Sequence, residues 1–160
     1  MGNRSNGLAI LALLIGIGGL GLGIYSVFFT PEPTIVQIWT AEQPTLYYTS
    51  TSYYDIPDMD LTISVNAGEN VLISFNGEFT ADSGVLVCGV RLMRDNVEIP
   101  SSRREINIET SFGTIMGYSI TTHVLISGLA AGAYEIEVQA YAVSVNEYIN
   151  EGLLVVYTFN

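Results

Sequence analysis

Two different hydrophobic patterns divide the chain. Residues 8–29 form one uncharged apolar run of 22 residues, LAILALLIGIGGLGLGIYSVFF. As a helix with a rise of about 1.5 Å per residue, this run would be about 33 Å long, which is enough to cross the hydrocarbon core of a bilayer. After residue 33 the apolar positions alternate with a period of two, which is typical of strands. The sequence therefore predicts a hydrophobic helix followed by a β domain.

Small side chains recur along one face of the predicted helix. Their spacings alternate between three and four residues, which places them on the seam where two helices of a left-handed pair meet. A continuous line of small residues lets backbones approach closely, and membrane helices associate in this way. The alternative is a single glycine-rich anchor without a partner helix. The predicted seam consists of Ala9, Ala12, Gly16, Gly19, Gly23 and Ser26.

The charges on either side of the run predict its orientation. Arg4 precedes it, and no further basic residue follows until Arg91. The positive-inside rule then makes residues 1–7 a short cytoplasmic head and places the C-terminal domain outside the cell. A cleaved secretory signal is the competing interpretation, but such signals have shorter apolar cores and an A-x-A-like cleavage site, which is missing after Phe29. We expect a membrane-anchored protein with an extracellular domain, or a subunit of an extracellular filament.

The rest of the chain predicts one β domain. Residues 30–33 form a Pro-rich spacer, since two prolines break the helix. Residues 34–160 show eight or nine alternating segments with turns every 8–12 residues and no amphipathic helix. Eight strands fit a jelly roll, whereas an immunoglobulin-like sandwich needs about seven. The expected fold is all-β, a single jelly-roll-like β-sandwich preceded by one long N-terminal hydrophobic α-helix.

Two segments of the β domain resemble a known family. The stretch from Val124 to Tyr141, VLISGLAAGAYEIEVQAY, resembles the penultimate strand of jelly rolls in the tumour-necrosis-factor and complement globular-head group. AGENVLISFNGEF (67–79) is similar to a matching earlier strand. The resemblance covers about half of the domain. It implies a trimer formed through the sandwich, with the first and last strands side by side.

The amino-terminal layout is similar to that of archaeal type IV pilins. A short head with one Arg precedes Gly7, and a long apolar helix and a β-sandwich follow. In that family a prepilin peptidase cuts before the helix, and the helices pack into a filament core. This run is richer in Gly than theirs. The resemblance implies a filament subunit.

The charge of the β domain excludes one class of partner. After residue 29 the chain has four arginines, no lysine and all 16 acids, a formal net charge of −12. Such a domain repels nucleic acid, so we expect no DNA or RNA partner. An acidic surface without lysine suits an archaeal or viral protein.

The sequence contains no constellation typical of an enzyme. The single histidine, His123, is expected to be exposed, and the single cysteine, Cys88, is expected in the core of VLVCGVRL. One histidine and one cysteine do not make a zinc site or a Cys–His nucleophile pair. We therefore predict no catalytic residues and no cofactor other than calcium at one main candidate site.

That candidate is the segment DIPDMD, which we predict to be an acidic turn. Asp55, Asp58 and Asp60 lie within six residues of one another. Oxygen-rich loops of this kind hold calcium in some proteins. A solvated acidic turn is the alternative, because nothing here matches the EF-hand loop. Glu78 and Asp82 form a weaker second candidate for calcium.

Paired tyrosines mark a second candidate surface in TLYYTSTSYY (45–54), which we predict to be a strand. Doubled tyrosines place one ring on each face of a strand. The outward rings would form a subunit contact or a surface that binds glycan or a receptor, since Tyr is favoured at interfaces. The residues are Tyr47, Tyr48, Tyr53 and Tyr54.

These observations favour a non-enzymatic structural surface protein. It would self-assemble through its helix and display the β-sandwich as a filament or coat subunit. The alternative is a membrane-tethered trimeric jelly roll that binds or adheres to glycan or a receptor, including as a viral surface protein.

Overall fold

The computed structural model describes ten strands. It covers residues 33–43, 47–48, 51–81, 85–109, 116–143 and 147–160. The strands are β1 (Ile35–Gln43), β2 (Tyr47–Tyr48), β3 (Tyr54–Val65), β4 (Asn70–Ala81), β5 (Val85–Arg94), β6 (Val97–Glu98), β7 (Arg104–Glu109), β8 (Met116–Ile126), β9 (Gly132–Ala142) and β10 (Glu147–Phe159).

The strands form two antiparallel sheets. In the first sheet the order is β1-β10-β4-β8, and the short β2 also pairs with β10. In the second sheet the order is β3-β9-β5, and both β6 and β7 pair with β5. The expected all-β sandwich is confirmed for the described residues.

The strand pairing is that of one antiparallel ribbon wound into a barrel-like sandwich. Apart from the two-residue strands β2 and β6, the described residues form eight strands. The first pairs with the last, β1 with β10, and the other pairs nest inside it: β3 with β9, β4 with β8, and β5 with β7. Contacts between β10 and β4 and between β9 and β5 complete the two sheets. This eight-stranded double-sheet arrangement is the jelly-roll order.

The core lies between the two sheets. Along β4 the buried side chains Val71, Ile73, Phe75 and Phe79 alternate with partly or fully exposed ones, as the sequence pattern predicts. The second sheet supplies facing side chains such as Met59, Leu86, Leu92 and Ile136, all fully or almost fully buried. Because inward and outward residues alternate along most of each strand, the register of each strand pair also determines which side chains share an outer face.

The acidic segment at residues 55–60 is a strand and not a turn. It lies inside β3, where the pairing with β9 is irregular between Asp55 and Asp60. Asp58 has a φ of 62° there. A bulge inserts unpaired residues without ending the strand, and aspartate tolerates a positive φ better than most residues. The irregularity therefore accommodates Pro57 while Ile56 and Met59 remain buried.

The tyrosine-rich segment at residues 45–54 is not one strand. Tyr47–Tyr48 pairs with β10 in the first sheet, whereas Tyr54 begins β3 in the second sheet. The chain therefore crosses between the sheets within this segment, which a single alternating pattern does not reveal.

The predicted head, the apolar helix and most of the spacer lie outside the described residues. Among the residues that are described, no helix is long and apolar enough to span a membrane. Residues Thr34–Asn160 form one compact unit.

Candidate functional site

One row of apolar side chains crosses the outer face of the first sheet. Ile38 on β1 is paired with Tyr157 on β10, Tyr157 with Leu72 on β4, and Leu72 with Leu125 on β8. We call these four residues the apolar row. Ile38 is 56% exposed and Leu125 is 58% exposed, while Tyr157 and Leu72 are partly exposed. The row therefore spans the full width of the sheet on the side that faces away from the core.

Apolar side chains continue beyond the row towards the start of β1. Ile35 is paired with Phe159 and is 55% exposed, and the neighbouring Val36 is also exposed. An antiparallel sheet with one solvated face is expected to carry polar residues there. A contiguous apolar patch on such a face typically marks an interaction surface.

The opposite end of the same face is acidic. Glu151 on β10 is directly paired with Glu78 on β4, and Glu42 on β1 lies nearby. These three carboxylates line a groove of about 500 Å³ together with Asn76 and Ser119. The outer face of the first sheet thus grades from an apolar end to an acidic end.

A second groove adjoins the apolar row at the β8 edge. It has a volume of about 510 Å³ and lies between the β5–β6 hairpin and the end of β8. Leu125 belongs both to this groove and to the row, and Val97 is the other strongly exposed apolar side chain in its lining. Arg94 lines the groove, and its guanidinium lies 5.8 Å from the centre of the Tyr134 ring.

The outer face of the second sheet carries a different cluster. The Tyr53 ring makes an edge contact with the Tyr141 ring, with ring centres 4.7 Å apart. The guanidinium carbons of Arg91 and Arg103 lie 4.4 Å and 5.1 Å from the centre of the Tyr53 ring. We call these four residues the tyrosine–arginine cluster.

Hydrogen bonds fix the two arginines of this cluster. Arg91 donates to Gln139 Oε1 at 2.8 Å and pairs with Glu98 Oε2 at 2.9 Å. Arg103 pairs with Glu105 at 2.6 Å. Each arginine therefore has a carboxylate partner as well as an aromatic one, and the cluster is ordered without a ligand.

Burial raises the pKa values of three groups on this face, Tyr53, Tyr141 and Glu137. It raises the pKa of Tyr53 to about 12, against the opposing effect of the Arg103 charge. Burial also raises the pKa of Glu137, and the negative charge of Asp55 and of other nearby acids adds to this rise. Glu137 Oε2 has no hydrogen-bond partner.

A glycine gives the two tyrosines their space. A Cβ at Gly89 would lie 2.5 Å from Tyr141 Cε1, 2.9 Å from the Arg104 carbonyl oxygen and 3.0 Å from the Tyr53 hydroxyl. Any other residue would displace a ring or a backbone carbonyl. Gly89 therefore permits the tyrosine–arginine cluster.

The three aspartates proposed for calcium are all exposed on β3. Asp55 accepts a hydrogen bond from Gln139 Nε2 at 2.8 Å. Within the described ranges, no three His, Cys, Asp or Glu residues are grouped so that they could hold a metal ion. Calcium binding by Asp55, Asp58 and Asp60 stays a prediction from the sequence.

The four tyrosines proposed as one contact surface are divided between the sheets. Tyr53 belongs to the tyrosine–arginine cluster, and Tyr54 is 63% exposed next to it. The backbones of Tyr47 and Tyr48 pair with the first sheet. The six seam residues between Ala9 and Ser26 lie outside the described residues.

Two single residues match their predicted environments. Cys88 forms no disulfide among the described residues and is fully buried, as expected for a core position. His123 is exposed on the outer face of β8.

Sequence reasoning missed the apolar row. Leu125 and Ile38 each occupy outward positions in their strands, so alternation alone could have identified them singly. Their common row depends on the register of three strand pairs, and no local pattern carries that information.

Comparison with protein-family models and with curated proteins finds no match. Among solved structures, the VP2 subviral particle of infectious bursal disease virus matches 79% of this chain at 12% identity with a TM-score of 0.48, and the match spans 32% of that chain. The EclA C-terminal domain, a sugar-binding protein, matches 79% of this chain and 83% of its own, at 14% identity with a TM-score of 0.39. The globular domain of zebrafish complement 1qA matches 75% of this chain and 94% of its own length, at 8% identity with a TM-score of 0.37. These similarities are too distant to indicate a function. The fold follows from the strand pairing of this chain.

Proposed function

We propose that this chain is a non-enzymatic structural subunit that self-assembles at the cell or particle surface. The observation that carries this proposal is the apolar row Ile38–Tyr157–Leu72–Leu125 on an outer face. Moving one Leu or Ile side chain from water into a packed contact is worth roughly 1.5–3 kcal/mol. Three of the four side chains in the row are Leu or Ile, and the two at its ends, Ile38 and Leu125, are more than half exposed, so burial of the row favours association.

A second copy of this chain is the occupant that the charge distribution favours. The chain has a formal net charge of −11, so copies repel each other over most of their surface. The apolar row contains no charged residue. A contact through this row buries apolar area without placing a charged side chain in the row itself.

The amino-terminal run supports the same proposal. Residues 8–29 are joined to Ile35 by a connection of only five residues. If the small-residue seam associates helices, the domains of neighbouring copies are held at a high effective concentration. Weak contacts between domains are then sufficient for an ordered assembly. In this arrangement the run anchors each copy in the membrane or packs in the filament, and the sandwich lies outside.

The test measures the association state of the full chain in detergent by light scattering and negative-stain microscopy. We expect assemblies larger than a monomer. Leu125→Thr removes an exposed apolar group from the row and should weaken association about tenfold, equivalent to about 1.4 kcal/mol. Thr121→Ser changes the same face of β8 outside the row and is the matched control.

A separate variant tests the predicted small-residue seam of the amino-terminal run. Replacement of Gly16, Gly19 and Gly23 together by Leu should reduce the size of the assemblies, because large side chains keep the helix backbones apart. A wild-type chain that stays monomeric at every concentration would overturn the proposal. Unchanged assembly in both the Leu125 variant and the triple Gly variant would overturn it as well.

The tyrosine–arginine cluster favours a second candidate, a binding or adhesion module. Tyr and Arg are the residues that most often dominate binding energy at interfaces, and Arg103 is half exposed here. A glycan or a protein receptor would contact this face of the second sheet. Binding of the domain to a glycan array, compared with binding of Arg103→Ala, tests this candidate, and equal binding of the two proteins would reject it.

A further inference from the structure

The first sheet ends in an unusual edge strand. β8 has eleven residues, Met116–Ile126, and among the described strands it pairs with β4 alone. It contains no Asp, Glu, Lys or Arg. Natural proteins usually protect such edges with charges, prolines or bulges, because a long uncharged edge pairs readily with another strand.

The other end of the same sheet is also open. Among the described strands, β1 pairs with β10 alone and carries three exposed apolar residues, Ile35, Val36 and Ile38. Its pairing with β10 has an irregularity between Ile35 and Gln37 and is regular from Gln37 onwards. In the part of the chain that the structure describes, the open edges of the first sheet are therefore β8 on one side and the regular part of β1, residues 37–42, on the other.

The strand directions allow these two edges to meet. β1 runs antiparallel to β10, β10 antiparallel to β4, and β4 antiparallel to β8. β8 thus runs opposite to β1. When a second copy is placed beside the first by translation within the plane of the sheet, its β1 lies antiparallel to β8 and continues the same hydrogen-bonding pattern.

We propose that β8 of one copy pairs edge to edge with β1 of the next copy, with Leu125 opposite Ile38. This inference rests on the proposed self-assembly and specifies its geometry. In that register the apolar row runs without interruption from one copy into the next. A shift by one residue would turn Ile38 to the other face and break the row, so the outward apolar residues determine the register.

The groove beside β8 suits this partner. Its lining includes the exposed apolar residues Val97 and Leu125, and the incoming β1 brings Ile35, Val36 and Ile38. Arg94 also lines the groove and makes no salt bridge with a carboxylate among the described residues. The charges of Arg94 and Glu98 in the groove lining cancel, so the groove does not repel the uncharged residues 35–38 of the incoming strand.

The core beneath β8 is already covered by other residues of the same chain. Thr122 donates a hydrogen bond to the Ser102 carbonyl oxygen at 2.7 Å, and both residues are buried. The loop after β6 thus covers the core beneath β8. A new strand at this edge would extend the sheet without opening the core.

The geometry has a consequence for the assembly. The contact joins two different edges, so it is heterologous and leaves a free β8 and a free β1 at the two ends of every oligomer. Since adjacent strands in a sheet are rotated by roughly 20–25°, successive copies follow a helical path. The expected product is an open filament.

Cysteine cross-linking of the full chain in detergent tests the pairing. One sample carries Ile38→Cys, the other carries Leu125→Cys, and the two are mixed under mild oxidation or with a short thiol cross-linker. We expect at least a tenfold excess of the mixed dimer over either homodimer. The same register predicts a second mixed dimer between Glu42→Cys and Thr121→Cys, and an out-of-register mixture of Glu42→Cys with Leu125→Cys is the matched control.

Each result distinguishes the pairing from the proposed function. The wild-type chain should give no cross-link, because Cys88 is fully buried. Homodimers of the Ile38 or Leu125 variants, formed without the mixed dimer, would show face-to-face assembly and overturn the edge pairing alone. Assemblies that form without any of these cross-links would also overturn the edge pairing and leave self-assembly standing. A monomeric wild-type chain would overturn both.

Discussion

The guanidinium carbon of Arg91 lies 4.4 Å from the centre of the Tyr53 ring. Tyr53 precedes β3 and Arg91 lies on β5, so the contact reaches across β9, which separates these strands in the sheet. A cation over an aromatic face is worth about 0.5–1 kcal/mol at an exposed site. The pair fixes the tyrosine–arginine cluster on one outer face of the sandwich, opposite the sheet that carries the apolar row.

The first prediction concerns the space beneath that cluster. Gly89→Ala should lower the free energy of unfolding by about 1–3 kcal/mol, because the new Cβ meets the Arg104 carbonyl and both tyrosine rings. Gly132→Ala is the matched control, since its Cβ would make only an ordinary contact of 3.9 Å with Tyr134. Denaturant unfolding followed by circular dichroism measures both. Equal effects of the two variants would contradict the close packing described at Gly89.

The second prediction concerns stability at high pH. The pKa of Tyr53 is raised from 10.0 to about 12, mainly by burial, so the folded state holds its proton more tightly than the unfolded state. This contribution to stability is complete below pH 10 and is lost as the pH rises through about 12. Tyr53→Phe should make the melting temperature less dependent on pH in this range. Tyr54→Phe, at a mostly exposed ring, should leave the dependence as it is in the wild type. If the melting temperature of Tyr53→Phe depended on pH as steeply as that of the wild type, the loss of stability at high pH would not come from Tyr53.

The third prediction concerns a carboxylate that lies among other acids. Burial and the nearby charge of Asp55 raise the pKa of Glu137, and one of its oxygens has no hydrogen-bond partner. Its favourable contribution is present at acid pH and is lost as the pH rises through the raised pKa. Glu137→Gln should therefore stabilise the protein at pH 7 by about 0.5 kcal/mol, a small value because the carboxylate is only partly buried. Glu42→Gln, at an exposed carboxylate on the other sheet, is the control. The two variants should differ at pH 7 and converge towards pH 4 in thermal unfolding.

The fourth prediction concerns the loop beneath β8. Ser102 is fully buried, and its hydroxyl accepts a hydrogen bond from the Leu92 amide at 3.0 Å. Ser102→Ala would leave this buried amide without a partner and should cost about 1–3 kcal/mol of unfolding free energy. Ser127→Ala, at an exposed position after β8, should change stability very little. If Ser102→Ala unfolds at the same denaturant concentration as the wild type, the hydrogen bond between Leu92 and Ser102 does not contribute to stability as expected.

The local sequence pattern was sufficient for several features of the β domain. The alternation in β4 correctly predicted Val71, Ile73, Phe75 and Phe79 as core residues, and the apolar surroundings of Cys88 correctly predicted its burial. These features depend on the period of two along a single strand, which every strand imposes on its own residues. The pattern was wrong at residues 55–60, where acidic residues and Pro57 suggested a turn and the chain instead forms a bulged strand.

The helix seam between Ala9 and Ser26, the membrane anchor and the calcium site remain predictions of the sequence. The seam and the anchor lie outside the described residues, and calcium binding by Asp55, Asp58 and Asp60 awaits a titration.

The sequence by itself determined the fold class and the identity of the core residues, because burial follows the alternation within each strand. Only the tertiary structure decided which outward residues are neighbours. Ile38, Leu72, Leu125 and Tyr157 are spread along most of the β domain and share a row because three separate strand pairs have matching registers. Tyr53 meets Arg91 because the jelly-roll winding places β3 and β5 on either side of β9. Such registers arise from the packing of the whole sandwich, and no short segment of sequence contains them.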